Sequence, residues 1–234
     1  TLAMSACAGP VGWVGTVHDG GTGDCSATRI SSGASALVSS GAAWPGEFTF
    51  EGWYRLDGAP AAPFGRIAGV EATGACASGV NLWELRISQG GYVTATLGAA
   101  YASSGTGAPV AMGQWFHVAL QYEGAGSGAL YLNGTRVQTF AFLGGTMNLP
   151  NGCDVRLASA TDGTSNLVPM SVASLHYRRF KHYVDGFVPS PVLERDADTL
   201  YLFDPPTSQT LPVSDGIYVF SAPSSVPVAS GPGC

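Results

Sequence analysis

Lysine is almost missing from this chain: Lys181 is the only one in 234 residues. Charged residues of all kinds make up 11% of the sequence, against about 25% in an average soluble domain. The net charge is −6. No basic field is therefore available to neutralise a phosphate backbone, which excludes nucleic-acid binding as a function class. Long apolar runs are lacking too, and none approaches the roughly 20 residues of a membrane span. No long segment repeats apolar residues at i, i+3, i+4 and i+7 between caps, so helical architectures are excluded. The cysteines form no CxxC pair, which removes the spacing of a zinc site or a thioredoxin-like redox site.

What is present is apolar and turn-forming. Hydrophobic residues reach 45%, enough for a sizeable core, and there are 33 glycines and 15 prolines. Cys7, Cys25, Cys76 and Cys153 sit in Gly-, Ser- or Asn-rich surroundings such as SACAGP, GDCSA, GACASG and NGCDV. Loop cysteines of this kind imply disulfides and an oxidising compartment, so the chain is expected to be secreted or displayed at a cell surface. Composition leaves the connectivity open. The expected pairs are Cys7–Cys25 and Cys76–Cys153, with Cys234 unpaired or bridging to another chain. The chain opens at Thr1 without an initiator methionine, as a processed mature form does.

Short β-rich runs alternate with Gly, Ser, Pro and Asn clusters. The expected strands are 47–56, 66–72, 82–88, 92–98, 115–123, 129–134, 135–142, 154–159, 172–180 and 199–204. Many strands at close spacing indicate an all-β sandwich or barrel. Three segments are expected: a Gly-rich 1–24 anchored by Trp13, a β-domain over 25–204, and a Pro/Ser-rich 205–234 with one possible strand in GIYVFSA. In 47–56, Phe48, Phe50 and Gly52 share one face and Thr49, Glu51 and Trp53 the other. The bulk of Trp53 on the second face predicts that both faces are partly covered. In WFHVALQYE, Phe116, Val118, Leu120 and Tyr122 share one face and Trp115, His117, Ala119 and Gln121 the other. Asn133-Gly134 marks a type I′ hairpin turn, because both central residues there need positive φ.

The order WFHVA, a glycine-rich gap and then LYLNG resembles the laminin-G-like, concanavalin A-like family. EFTFEGWYRLDG at 47–58 is similar to the family's early strand. VASLHYRRFKHYVDGFVPS at 172–190, with DADTLYLFD at 196–204, is similar to its closing segment. The resemblance implies a two-sheet antiparallel jelly-roll sandwich whose loops carry any ligand site. It implies a non-enzymatic recognition or adhesion module, with a glycan or an extracellular protein as partner. The alternative is a structural subunit of an extracellular filament, sheath or surface layer, whose partners are copies of itself. The family's acidic pair at the start of the late strand is replaced by Ala173 and Ser174, which weakens a calcium site, since calcium requires several oxygen ligands.

The residues themselves point away from catalysis. Glycoside hydrolysis needs two facing carboxylates, and Glu51 and Glu84 each stand alone among apolar neighbours in the sequence. There is no G-x-S-x-G elbow for serine chemistry. His117 is expected to serve packing or a hydrogen bond. His176 and His182 flank the basic knot RRFKHY and form a metal pair only if they converge. Sugars are held by stacking and by planar hydrogen-bonding groups, so the loop candidates for a ligand are Tyr101, Asp154, Asp162, Thr164 and Asn166. Turn formation is the competing role for each. Asn133 also stands in an N-x-T sequon.

Overall fold

The computed structural model describes residues 46–60, 63–70, 83–97, 109–124, 127–141, 155–159 and 166–203, and by backbone the strands at 27–30, 36–40, 218–221 and 225–228. Among these residues every regular element is a strand. In chain order they are β1 (Ala27–Ile30), β2 (Ala36–Ser40), β3 (Phe48–Leu56), β4 (Phe64–Val70), β5 (Trp83–Ser88), β6 (Val93–Leu97) and β7 (Trp115–Tyr122). They continue as β8 (Ser127–Leu132), β9 (Thr135–Ala141), β10 (Val155–Leu157), β11 (Met170–Arg179), β12 (Thr199–Phe203), β13 (Tyr218–Ser221) and β14 (Ser225–Val228). No helix among the described residues is long and apolar enough to cross a membrane.

Two antiparallel sheets result. One has eight strands in the order β14-β1-β11-β3-β7-β8-β9, with β12 also paired to β11. The other has six, in the order β13-β2-β10-β4-β5-β6. The segment after residue 204 contributes β13 to the six-stranded sheet and β14 to the eight-stranded one.

Period-two alternation fixes the inner faces. Phe48, Phe50, Tyr54 and Leu56 of β3 and Phe116, Val118, Leu120 and Tyr122 of β7 are buried in one cluster with Trp83, Leu85 and Ile87 of β5. Phe50 meets Trp83 across the sandwich with ring centroids 4.8 Å apart. Each such side chain contributes roughly 1.5–3 kcal/mol by leaving water. Gly52 is required on this face: a Cβ there would stand 2.7 Å from Leu175 Cδ2 and from the Ser174 carbonyl.

Two β-bulges decide what faces outward. The β3–β11 register shifts between Val172 and Ser174. Met170 and Val172 point into the core before the shift, and Leu175 and Tyr177 do so after it. His176 and Arg178 are therefore turned onto the outer face, opposite Glu51 and Thr49. Likewise the β4–β5 register shifts between Arg66 and Ala68. Ile67 and Ala68 are buried in the core, while Arg66 pairs with Arg86 on the outside.

The Asn133-Gly134 turn has φ of 49° and 77°, as a type I′ hairpin demands. Asn133 Oδ1 accepts a hydrogen bond from the His117 backbone N–H at 2.8 Å, which is a structural use for the sequon asparagine.

Candidate functional site

Both outer faces carry polar clusters. On the eight-stranded sheet, residues 180–198 run back across the face as a strap. Gln121 makes three hydrogen bonds to the strap and one to Glu123. Its Oε1 accepts from the backbone N–H groups of His182 and Tyr183 at 2.9 and 2.8 Å, and its Nε2 donates to the Tyr183 carbonyl at 2.8 Å and to Glu123 at 3.0 Å. Thr49 Oγ1 donates to the Phe180 carbonyl at 3.0 Å. Trp53 Nε1 donates to the Ser190 carbonyl at 2.7 Å. Tyr183 and Phe187 of the strap stack at 3.5 Å between centroids.

Beneath the strap lies Glu51, fully buried. Tyr183 donates its hydroxyl to Glu51 Oε2 at 2.6 Å, and His117 Nε2 lies 3.2 Å from the same oxygen. His176 Nδ1 and Arg178 Nη2 each lie 3.5 Å from Glu51 Oε1. Burial raises the Glu51 pKa, but contact with His117, His176 and the Tyr183 hydroxyl outweighs it and holds the carboxyl well below the usual range. Burial, and then the Glu51 charge, push the Tyr183 phenol upward. Arg178 Nε donates to His176 Nδ1 at 2.9 Å. The same guanidinium nitrogen lies 3.2 Å from His176 Nε2, which in turn is 2.8 Å from Thr199 Oγ1.

This arrangement corrects the sequence reading at several points. Glu51 stands alone in the sequence but not in the fold, because its partners come from β7, β11 and the strap. His117, for which packing or a hydrogen bond was expected, lies buried edge-on to Trp53 and Phe187 and beside Glu51. His176 and His182 do converge, but on the Arg178 guanidinium, whose Nη1 meets His182 Nε2. A resident cation therefore fills the place where a metal was considered. Burial, together with that cation, keeps the His182 pKa below its ordinary value. Ala173 packs with Trp53 and Trp115, so the position where the family has an acid here supplies only a methyl group.

The outer face of the six-stranded sheet is built differently. Arg66 Nε donates to Glu84 Oε1 at 2.8 Å, and Arg86 Nη2 donates to Glu84 Oε2 at 2.6 Å. Burial raises the Glu84 pKa, but hydrogen bonds from Arg86 and the nearby Arg66 charge outweigh it, so the carboxyl stays below its usual range. Glu84 is thus bracketed by two guanidiniums rather than isolated. The register places Arg156 and Gly69 in the same cross-strand row as Glu84 and Thr96, and Arg66 in the row of Arg86 and Thr94. The Arg66 guanidinium lies across Gly69, where a Cβ would be 3.1 Å from its Cζ. Arg86 also stacks over Phe64, with Cζ 4.7 Å from the ring centroid. Phe64, Arg86, Thr94, Thr96 and Arg156 are all partly exposed.

The loop candidates Tyr101, Asp154, Asp162 and Thr164, and the cysteines Cys7, Cys25, Cys76, Cys153 and Cys234, lie outside the described residues. Asn166 is described. Its φ of 49° marks a turn former, and its carbonyl accepts from the Arg66 backbone N–H at 2.9 Å. A cavity of about 150 Å³ between Leu56, Pro60, Ser88 and Val110 is well under the roughly 300–1,000 Å³ of ligand pockets.

The family described as the Concanavalin A-like lectin/glucanases superfamily, in its Laminin_G_3 form, matches residues 31–168, more than half of the sequence. The chain belongs to this superfamily. The two antiparallel sheets are its jelly-roll sandwich, and β11 and β12 extend the eight-stranded sheet beyond the matched residues. No curated protein matches the chain. Among solved structures, a Bacteroides ovatus ATCC 8483 protein to which carbohydrate binding has been attributed is 14% identical, with a TM-score of 0.60 over 88% of this chain. The chain spans 60% of that protein's length. A heptameric SAP-like pentraxin from Limulus polyphemus is 16% identical, with a TM-score of 0.49 over 66% of this chain and 76% of its own. Trypanosoma rangeli sialidase is 19% identical, with a TM-score of 0.46 over 65% of this chain and 25% of its own. At these identities the likeness concerns the fold alone.

Proposed function

We propose that this chain is a non-enzymatic carbohydrate-binding module of a secreted or cell-surface protein, using the outer face of its six-stranded sheet. One observation carries the reading. That face presents planar hydrogen-bonding groups, Arg86 and Arg156, beside the hydroxyl row Thr94 and Thr96, and all four reach solvent. Planar amide-like groups and hydroxyls are what hold sugar hydroxyls in binding sites. Superfamily membership and the carbohydrate binding attributed to the Bacteroides ovatus protein support the same assignment.

The non-enzymatic part rests on the chemistry of the other face. Glu51, His117, His176 and Arg178 are the kind of groups that catalyse, but the strap buries them and leaves no position for a scissile bond. Asp196 is the carboxylate that faces Glu51 across Arg178, at 3.3 Å from Arg178 Nη1. A guanidinium therefore stands between the two carboxylates, where a glycosidase places the sugar.

The test is a panel of soluble oligosaccharides and insoluble polysaccharides, scored for retention and for release of reducing ends. Retention on at least one polysaccharide without turnover is expected. Absence of retention on every saccharide would sink the proposal. Turnover abolished by Glu51→Gln would show instead that the buried cluster is an active site.

A further inference from the structure

We infer that Arg178 clasps the two ends of the strap and that protonation of His182 undoes the clasp, so that mild acid loosens the strap while the sandwich stays folded.

The clasp is a single buried side chain. Arg178 Nη1 meets His182 Nε2 near the start of the strap and lies 3.3 Å from Asp196 Oδ2 near its end. Nη2 lies 3.5 Å from Glu51 Oε1 of β3, and Nε lies 2.9 and 3.2 Å from the two ring nitrogens of His176. A guanidinium has donors only and keeps its charge at every pH a protein meets. His182 Nε2 therefore faces it as a lone-pair acceptor, which requires a neutral imidazole. A proton on that nitrogen would replace a hydrogen bond by two like charges in contact.

His182 stands among groups of both signs. Burial, and then Arg178, lower its pKa; His176 of β11 adds to this, while Glu51 of β3 and Asp196 of the strap oppose it and are outweighed. Both carboxylates are already engaged. Glu51 accepts the Tyr183 hydroxyl, and Asp196 Oδ1 accepts the Thr199 hydroxyl and the Asp198 backbone N–H at 2.8 and 3.0 Å. Thr49 of β3 and Gln121 of β7, which hold the His182 backbone N–H, add no charge, nor does the Tyr183 ring that stands edge-on at 4.8 Å.

The fold thus favours neutral His182, and the sign of the pH dependence follows. The stabilisation is whole above about pH 6.5, the unfolded histidine value, and is lost as pH falls through the lower folded value. Glu51 stays ionised over that range, so the anchor from Tyr183 to Glu51 outlasts the clasp. What loosens is the first turn of the strap. His182 and Tyr183 both donate their backbone N–H groups to Gln121 Oε1. His182 is exposed on its outer side, so a charged ring has an open way into water and draws both amides with it.

The test is hydrogen exchange of the whole labelled chain, read by NMR between pH 7.5 and pH 5 and corrected for the intrinsic pH dependence of exchange. The His182 ring is titrated in parallel. The opening constant at the His182 and Tyr183 amides is expected to rise about 3- to 10-fold, since one proton shifts an equilibrium by at most about 10-fold per pH unit. The amides of β5, Trp83–Ser88, are expected to keep their protection. The rise is expected to share its midpoint with the His182 ring, below about 6.5. His182→Gln keeps an acceptor for Arg178 but cannot titrate, so its strap amides are expected to show no rise. Constant protection at His182 and Tyr183 down to pH 5 overturns the inference, and so does a ring midpoint at or above about 6.5. A rise shared equally by β5 reports acid unfolding of the sandwich and overturns it too, as does a rise that persists in His182→Gln. The comparison of midpoints needs only the parent chain, so misfolding of the variant does not remove the test.

Discussion

Replacing Glu51 with glutamine removes the one negative charge under the strap and changes almost nothing in shape. In the parent, that charge faces Tyr183, His117, His176 and Arg178 within 3.5 Å. Taking one partner out of a buried ionic group typically costs about 3–5 kcal/mol. The amide oxygen of glutamine can still accept from Tyr183, so the lower end applies. The expected loss is about 3 kcal/mol at pH 7, or a melting temperature lower by about 6–12 °C for a domain of this size. The sign of the pH dependence follows from the lowered Glu51 pKa. Its contribution is fully present above the unfolded carboxylate value of about 4.3 and is lost as pH falls below it. The gap between Glu51→Gln and the parent should therefore narrow between pH 5 and pH 3. Chemical denaturation followed by tryptophan fluorescence at several pH values measures this directly. A difference under about 0.5 kcal/mol at pH 7, or one that stays constant down to pH 3, would refute the ionic role of Glu51.

Three further outcomes follow from the same structure. Gly134→Ala should cost more than the roughly 1–2 kcal/mol of a left-handed residue, because its Cβ would collide with the Phe187 carbonyl oxygen; a cost within that range would show that the strap does not depend on this contact. Gln121→Met keeps the volume but orphans the backbone N–H groups of His182 and Tyr183. A loss of about 2–4 kcal/mol is expected, with faster hydrogen exchange confined to the strap, and unchanged strap exchange would contradict it. Peptide mapping without reduction should recover Cys7–Cys25 and Cys76–Cys153, and any other pairing overturns the expected disulfide frame.

The strands were legible because their local signals agree with their surroundings. FTFEGW and WFHVALQY alternate cleanly, and Asn133-Gly134 encodes its turn whatever else the chain does. The coverage of both faces of β3 was readable from the bulk of Trp53. The polar clusters were not. Their assembly depends on bulges near Ala173 and Ile67 that reverse which residues face outward, and a bulge leaves no mark in a period-two pattern. It also depends on contacts such as Tyr183 to Glu51, separated by 132 positions in the chain. Glu51 and Glu84 looked isolated because their partners are neighbours across strands rather than along them. The one available signal was the run LHYRRFKHY, whose histidines and arginines were too many for an ordinary apolar strand. The resemblance to a family whose loops carry the ligand site pointed to loop residues, whereas most of the described groups that converge lie on strands.

The central claim is that the outer face of the six-stranded sheet binds saccharide while the strapped face only holds the fold together. Two-dimensional NMR of the labelled chain, titrated with soluble oligosaccharides, tests it directly. The account predicts shifts concentrated at the backbone amides of Phe64–Val70, Trp83–Ser88, Val93–Leu97 and Val155–Leu157. Shifts concentrated over 180–198, or none with any oligomer, would contradict it.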